Sequence, residues 1–263
     1  MDNKTQRLIK IGDQIRFTTV GGECALISGA TYTAMFDNMQ DEVYLEQTPN
    51  VSLPSDMYET EQDSKFIKKV LAHYNKAKSG TTGVMLTGLK GSGKTVMAKN
   101  MALKSGLPIV ILSKKFPPRE LTNLMVKLKD EKVCIVIDEI DKLNDRQYDS
   151  DYLLQVFDGI STCGNNLIIT TCNNTDDVNE YLLDRCSRIR YYREFGKMSP
   201  SMIQKILEER LTNKKIVKKV CDFIVKKFDV SSFDNVAAFA EEINNNPTDT
   251  LEELFADMNI SEA

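Results

Sequence analysis

The sequence predicts an α/β protein. It calls for a mostly parallel five-stranded sheet flanked by helices, a small β-rich module before it and a small helical domain after it. Three observations carry this. Short continuous apolar runs recur through the middle of the chain with helical patterns between them. The first 55 residues instead alternate apolar and polar side chains. After Met198 apolar residues recur at helical spacing alone. With 263 residues, 41% of them hydrophobic and 27% charged, the chain can bury one large core or two modest ones.

In the first 55 residues, Ile9, Ile11, Ile15 and Phe17 alternate with polar neighbours, as do Tyr32, Ala34 and Phe36, then Val43 and Leu45. Period two predicts short half-buried strands, with turns at Gly21-Gly22 and Asp37–Gln40. Thr48-Pro49-Asn50 and Leu53-Pro54-Ser55 read as a linker closing this module, residues 1–55. Two roles stay open for it, docking a partner or packing on the core. From residue 56 to 196 the pattern is α/β. Phe66, Ile67, Val70, Leu71 and Tyr74 make one helical face after Asp63 and Ser64, which suit a cap. Strands follow at Val84–Thr87, Pro108–Leu112, Val133–Ile137, Leu167–Thr171 and Ile189–Tyr192. Their unbroken apolar character fits parallel strands covered on both faces. Residues 197–263 open with Ser199-Pro200, a hydroxyl cap and a first-turn proline. Four amphipathic stripes follow, led by Met202, Ile216, Val236 and Leu251.

Composition removes several function classes. Thirty-four basic against 38 acidic residues leave a net charge of −4, so no broad polycationic surface exists for coating duplex nucleic acid, although a local basic patch is compatible. No apolar run is long enough to cross a bilayer, and no signal-peptide core follows Met1. The chain reads as soluble and cytoplasmic. Cys24, Cys134, Cys163, Cys172, Cys186 and Cys221 are scattered, and His73 is the single histidine. They form no zinc-ligand spacing and read as reduced, packed thiols.

The chemistry begins at Gly88-Leu89-Lys90-Gly91-Ser92-Gly93-Lys94-Thr95, a full GxxxxGK[ST] between a predicted strand and a helix that starts at Val96. Glycines let successive backbone N–H groups turn toward phosphate oxygens at a helix N-terminus. Lys94 supplies a mobile positive charge for the β- and γ-phosphates, and Thr95 a hydroxyl for Mg²⁺. The second motif is the apolar run Val133–Ile137 ending in Asp138-Glu139. Two ionised carboxylates beside a core are costly unless a cation needs them. Asp138 would hold Mg²⁺ and Glu139 would act as general base on water. The pair predicts a P-loop nucleotide hydrolase.

Taken together these residues resemble the AAA+ ATPases, and within them the classical AAA branch, over roughly residues 60–260. Asp151–Gly159 is similar to the LLxxxDG element after the second motif. Leu167–Asn173 resembles the sensor-1 strand, and Leu182–Arg188 the segment with arginine fingers. The resemblance implies ATP and Mg²⁺ as ligands, with Gly88–Val96 cradling the nucleotide. It implies that Asn173 orients the attacking water, with Asn174 a competitor for that role. Arg185 and Arg188 would reach a neighbouring subunit's site within a homohexameric ring or spiral. It also implies a macromolecular substrate, protein more than nucleic acid, remodelled or threaded by the ring. A loader-type, DNA-associated ATPase is the alternative. Two departures stand out. Ser232–Val236 occupies the sensor-2 region without an arginine, and Phe116 in Lys114-Lys115-Phe116-Pro117-Pro118-Arg119 is either a pore residue or a packed loop anchor.

Overall fold

The computed structural model describes residues 7–18, 24–55, 57–77, 80–113, 115–143, 156–157, 165–174 and 188–262. Most of the LLxxxDG segment, Lys114 and Arg185 lie outside the described residues, as do Cys163, Cys186 and the predicted Gly21-Gly22 turn. Two compact units form, Met1–Thr87 with Thr95–Arg193, and Gly88–Lys94 with Glu194–Ala263.

The strands are β1 (Arg7–Ile11), β2 (Gln14–Thr18), β3 (Thr31–Asp37), β4 (Glu42–Thr48), β5 (Gly80–Gly88), β6 (Ile109–Leu112), β7 (Cys134–Ile137), β8 (Asn165–Cys172) and β9 (Tyr191–Phe195). They make one sheet in the order β1-β2-β4-β3-β6-β7-β8-β5-β9. The five strands predicted for the α/β part are there, and β6, β7, β8 and β5 are parallel neighbours. Among the described residues the sheet nevertheless has nine strands rather than five. β3 pairs in parallel with β6, Thr31 opposite Ile109 and Ala34 opposite Leu112, so the N-terminal strands extend the same sheet. Tyr32, Ala34, Val43 and Leu45 are fully buried in one cluster with Met85, Val110, Ile135 and Ile168. The N-terminal strands therefore pack on the core.

Register corrects one strand. β1 pairs antiparallel with β2, Leu8 opposite Phe17 and Ile11 opposite Gln14. Leu8, Ile15 and Phe17 consequently share the buried face, while Ile11 is 56% exposed. The alternation of Ile9 and Ile11 was in the wrong phase, because a one-residue shift in a strand exchanges its faces. The joining turn is Gly12-Asp13, with Gly12 at φ +60°. Between β3 and β4, by contrast, the expected turn forms. The Asp37 carboxylate accepts the N–H groups of Met39 and Gln40 at 3.0 and 3.2 Å, which holds its pKa below the usual range.

Helix α1 (Glu61–Lys76) starts earlier than Asp63 and Ser64 suggested. Thr60 is the cap: its hydroxyl accepts the Asp63 N–H at 3.1 Å while the Asp63 carboxylate accepts the Thr60 N–H at 2.9 Å. Ile67, Val70 and Tyr74 form its buried face. Helices α2 (Lys94–Ser105) and α3 (Leu121–Lys127) complete the first unit's α/β layers.

The second unit carries the expected stripes as α4 (Pro200–Arg210), α5 (Val217–Lys227), α6 (Phe233–Asn245) and α7 (Leu251–Asp257). Ser199, Ser232 and Thr250 cap α4, α6 and α7 through their hydroxyls. Phe228, Phe239 and Phe255 meet ring to ring at the centre, with centroids 5.3 Å apart for Phe228 and each partner. Among the described residues, no helix is long and apolar enough to cross a membrane.

Candidate nucleotide site

Strand β5 leads straight into the glycine-rich loop. Gly88 has φ +127°, and a Cβ there would lie 2.0 Å from the Phe195 carbonyl oxygen, so no larger residue fits. Gly91 has φ +76°, and its missing Cβ would meet the Ser232 Cβ at 2.9 Å. Ser232, in the region lacking a sensor-2 arginine, thus packs on the loop while capping α6. Ser92 donates its N–H to the Leu89 carbonyl at 3.2 Å, curling the chain before α2 begins at Lys94. Lys94 is 5% exposed, and its ammonium donates to the carbonyls of Gly88 and Leu89 at 2.7 Å each.

These residues fit a bound polyphosphate. The first turn of α2 carries no acidic side chain, leaving helix N–H groups and their partial positive charge free for an anion. The Ser92 hydroxyl is buried without a hydrogen-bond partner among the described residues, a donor that a phosphate oxygen would satisfy.

Within the first unit, parallel pairing sets Ile137 beside Thr170 and so brings Asp138 beside Thr171. The Thr171 hydroxyl donates to Asp138 Oδ1 at 2.6 Å, and the Thr95 hydroxyl donates to the same oxygen at 2.9 Å. Thr171 Oγ1 also accepts the Glu139 N–H at 2.8 Å. Glu139 has φ +53°, a left-handed backbone that few side-chain-bearing residues adopt. That hydrogen bond, with the Lys142 N–H on the Glu139 carbonyl at 2.9 Å, holds it there. The carboxylate is gripped on both oxygens. Asn173 Nδ2 donates to Oε1 at 3.1 Å, and the Lys142 ammonium to Oε2 at 2.6 Å. The Asn173 N–H in turn donates to Asp141 Oδ1 at 3.2 Å. The Glu139 carboxylate pushes the Lys142 pKa up.

A divalent cation fits this donor set. Thr95 and Asp138 present hard oxygen atoms side by side, as Mg²⁺ requires, and Mg²⁺ is usually held by one or two protein oxygens plus phosphate and water. Among the described residues no cluster of three His, Cys, Asp or Glu forms an all-protein metal cage.

The structure thus brings Thr95, Asp138, Glu139 and Asn173 together. Sequence reasoning missed three participants. Thr171 was legible as the hydroxyl two residues before Asn173 on the same strand, and Asp141 and Lys142 as polar residues within one turn of Glu139. Arg188 is 7% exposed and engaged within its own chain. Of the two readings left open for Phe116, its burial favours the packed anchor. It is 3% exposed in the main cluster, its N–H on the Ser113 carbonyl at 2.9 Å, while Lys115 and Arg119 stay exposed. Cys134 is fully buried, and burial raises its thiol pKa to about 12, so it remains a protonated core residue.

Residues 84–194 match the model of the ATPase family associated with various cellular activities (AAA). Among solved structures, a chain from "Structural Basis for Katanin Self-Assembly" superimposes with a TM-score of 0.54 at 18% identity, covering 77% of this chain and 74% of that one. At that identity the likeness speaks for the fold. No curated protein sequence matches the chain. A phosphate-fitting loop, paired strand-end acids and the match over residues 84–194 agree in likening this part of the chain to the AAA ATPase family.

Proposed function

We propose that the chain hydrolyses ATP with Mg²⁺ and spends the energy on remodelling or threading a protein substrate within an oligomeric ring. The observation that carries the reading is the paired strand-end network. Asp138 is fixed by two hydroxyls, and Glu139 is presented on a left-handed backbone with Asn173 on its carboxylate. A structural turn needs neither the two adjacent acids nor their separate sets of partners.

In this mechanism the main-chain amides of Gly88–Val96 bind the phosphates. Lys94 leaves the Gly88 and Leu89 carbonyls for the β- and γ-phosphate oxygens. Thr95 and Asp138 would hold Mg²⁺, which when bound would offset the negative charge of those oxygens. Glu139 takes a proton from water as the water oxygen attacks the γ-phosphorus. The bond to the bridging oxygen breaks, and ADP leaves with the electron pair. Asn173 orients the Glu139 carboxylate and the water it activates. Arg185 of a neighbouring copy supplies charge to the transition state; the burial of Arg188 supports giving the finger role to Arg185. Katanin is the subject of the similar solved structure, whose description names self-assembly, and this supports assembly of copies here. Reduced thiols and ATP as fuel fit the cytoplasm.

Specific activity measured against protein concentration tests the ring. It should rise with concentration as copies assemble, and Arg185→Ala should lower it by about 10³-fold with nucleotide binding intact. Activity per molecule that is constant with concentration and indifferent to Arg185→Ala contradicts the proposal.

A further inference from the structure

Helix α5 carries a charge pattern that the nucleotide site does not use. Lys214 and Lys215 just before it and Lys218, Lys219, Lys226 and Lys227 on it are clustered, with Asp222 the one acid between them, in a chain of net charge −4. Val217, Val220, Cys221 and Ile224 face the core. Lys215, Lys218, Lys219, Val225 and Lys226 are exposed on the other side, Val225 at 51%.

Folding does not account for this face. Lys218 and Lys219 sit in the first turn of α5, which has no acidic residue, at the end where the helix dipole disfavours cations. Asp222, exposed and four residues from both Lys218 and Lys226, is the single opposing charge on this helix. Among the described residues, Lys215, Lys218, Lys219 and Lys226 have no carboxylate partner, whereas Lys227 meets Glu262 Oε1 at 2.5 Å. That one pair displays the chemistry the face accepts. Glu262 belongs to an extended segment that bridges Phe228 in antiparallel fashion, with the Asp229 N–H on the Ser261 carbonyl at 2.9 Å. An acidic extended strand thus already lies at the C-terminal end of α5.

We propose that the outward face of α5 is a docking surface for an acidic polypeptide segment of a partner. An exposed valine among lysines suits a peptide with carboxylates and an apolar side chain. Phe223, the nearest aromatic, is committed to Phe239 and Phe255, so it offers no base-stacking platform for single-stranded nucleic acid.

The test titrates the full chain, without nucleotide, into a fluorescently labelled ten-residue poly-glutamate peptide. A duplex DNA of similar charge is run alongside. The peptide should bind at low salt and weaken as salt rises. Replacing Lys215, Lys218, Lys219 and Lys226 together by Gln should weaken it about tenfold, the sum of four exposed charge contacts. The same four changed to Arg should keep the binding. Unchanged affinity in the Gln variant, no peptide binding at low salt, or tighter binding of the DNA each overturns the proposal. Because no ATP is turned over, this outcome is separate from that of the ATPase tests.

Discussion

Two pairs of neighbouring strands in one sheet behave differently. β7 and β8 lie inside it, run parallel and are buried along almost their whole length; β7 is apolar throughout, and the polar residues of β8 sit toward its two ends. β1 and β2 lie at its edge as a hairpin, with buried and exposed residues interleaved. In the inner pair each polar side chain has its position set by a register that the buried residues leave no freedom to shift. In the edge pair the same residue types tolerate a change of face. Chemistry is concentrated where register is rigid.

The first way to sharpen this contrast is through stability. Leu45→Ala in β4, where the N-terminal strands join the common core and Leu45 is fully buried, should cost about 3 kcal/mol in urea unfolding. A loss near zero would mean that these strands do not share the core. Next, Thr171→Val should lower kcat about tenfold and stability by about 1–2 kcal/mol, because Asp138 and the Glu139 N–H lose a common partner. An unchanged kcat would remove Thr171 from the site.

Lys142→Met should raise kcat two- to threefold with KM unchanged. The lysine is 61% exposed, and such pairs are worth under about 1 kcal/mol, yet its ammonium occupies the Oε2 that could otherwise accept water's proton. A fall in kcat would show that Lys142 aligns the carboxylate instead.

A smaller, pH-dependent effect belongs to Glu59. Lys104 and Asn100 hydrogen-bond its carboxylate and hold its pKa below the usual 4.5. A depressed folded-state pKa stabilises above the unfolded value, and that contribution is lost as pH falls through the folded one. Glu59→Gln should therefore destabilise at pH 7, and the gap from wild type should close as the medium is acidified below about pH 4.5. A gap that persists in acid would assign the effect to packing. Smallest of all, Ile11→Thr should shift stability by under about 0.5 kcal/mol, since Ile11 faces solvent.

Much of the site was legible because its residues are tied to spacing: Gly88–Thr95, Asp138-Glu139 and Asn173 fall where strand ends and a helix start must put them. Thr171 and Lys142 lay within sight as neighbours of Asn173 and Glu139, but their roles come from pairing between distant strands and from a turn whose backbone only the fold determines. The helical stripes of α4 to α7 were read correctly, as each has one buried face. The merger of the N-terminal strands with the sheet escaped notice because β3–β6 pairing joins segments far apart in sequence, and alternation reports a buried face without saying what covers it. Phe116 shows the same limit: its neighbours in sequence allowed a pore residue or a packed anchor, and only packing distinguishes them.

The most direct measurement is ATP turnover by Glu139→Gln beside its affinity for a labelled ATP analogue. The account predicts a loss of about a hundredfold or more in turnover with affinity retained, since the amide cannot accept water's proton. Turnover near the wild-type rate, with nucleotide still bound, would contradict the assignment of Glu139 as the base.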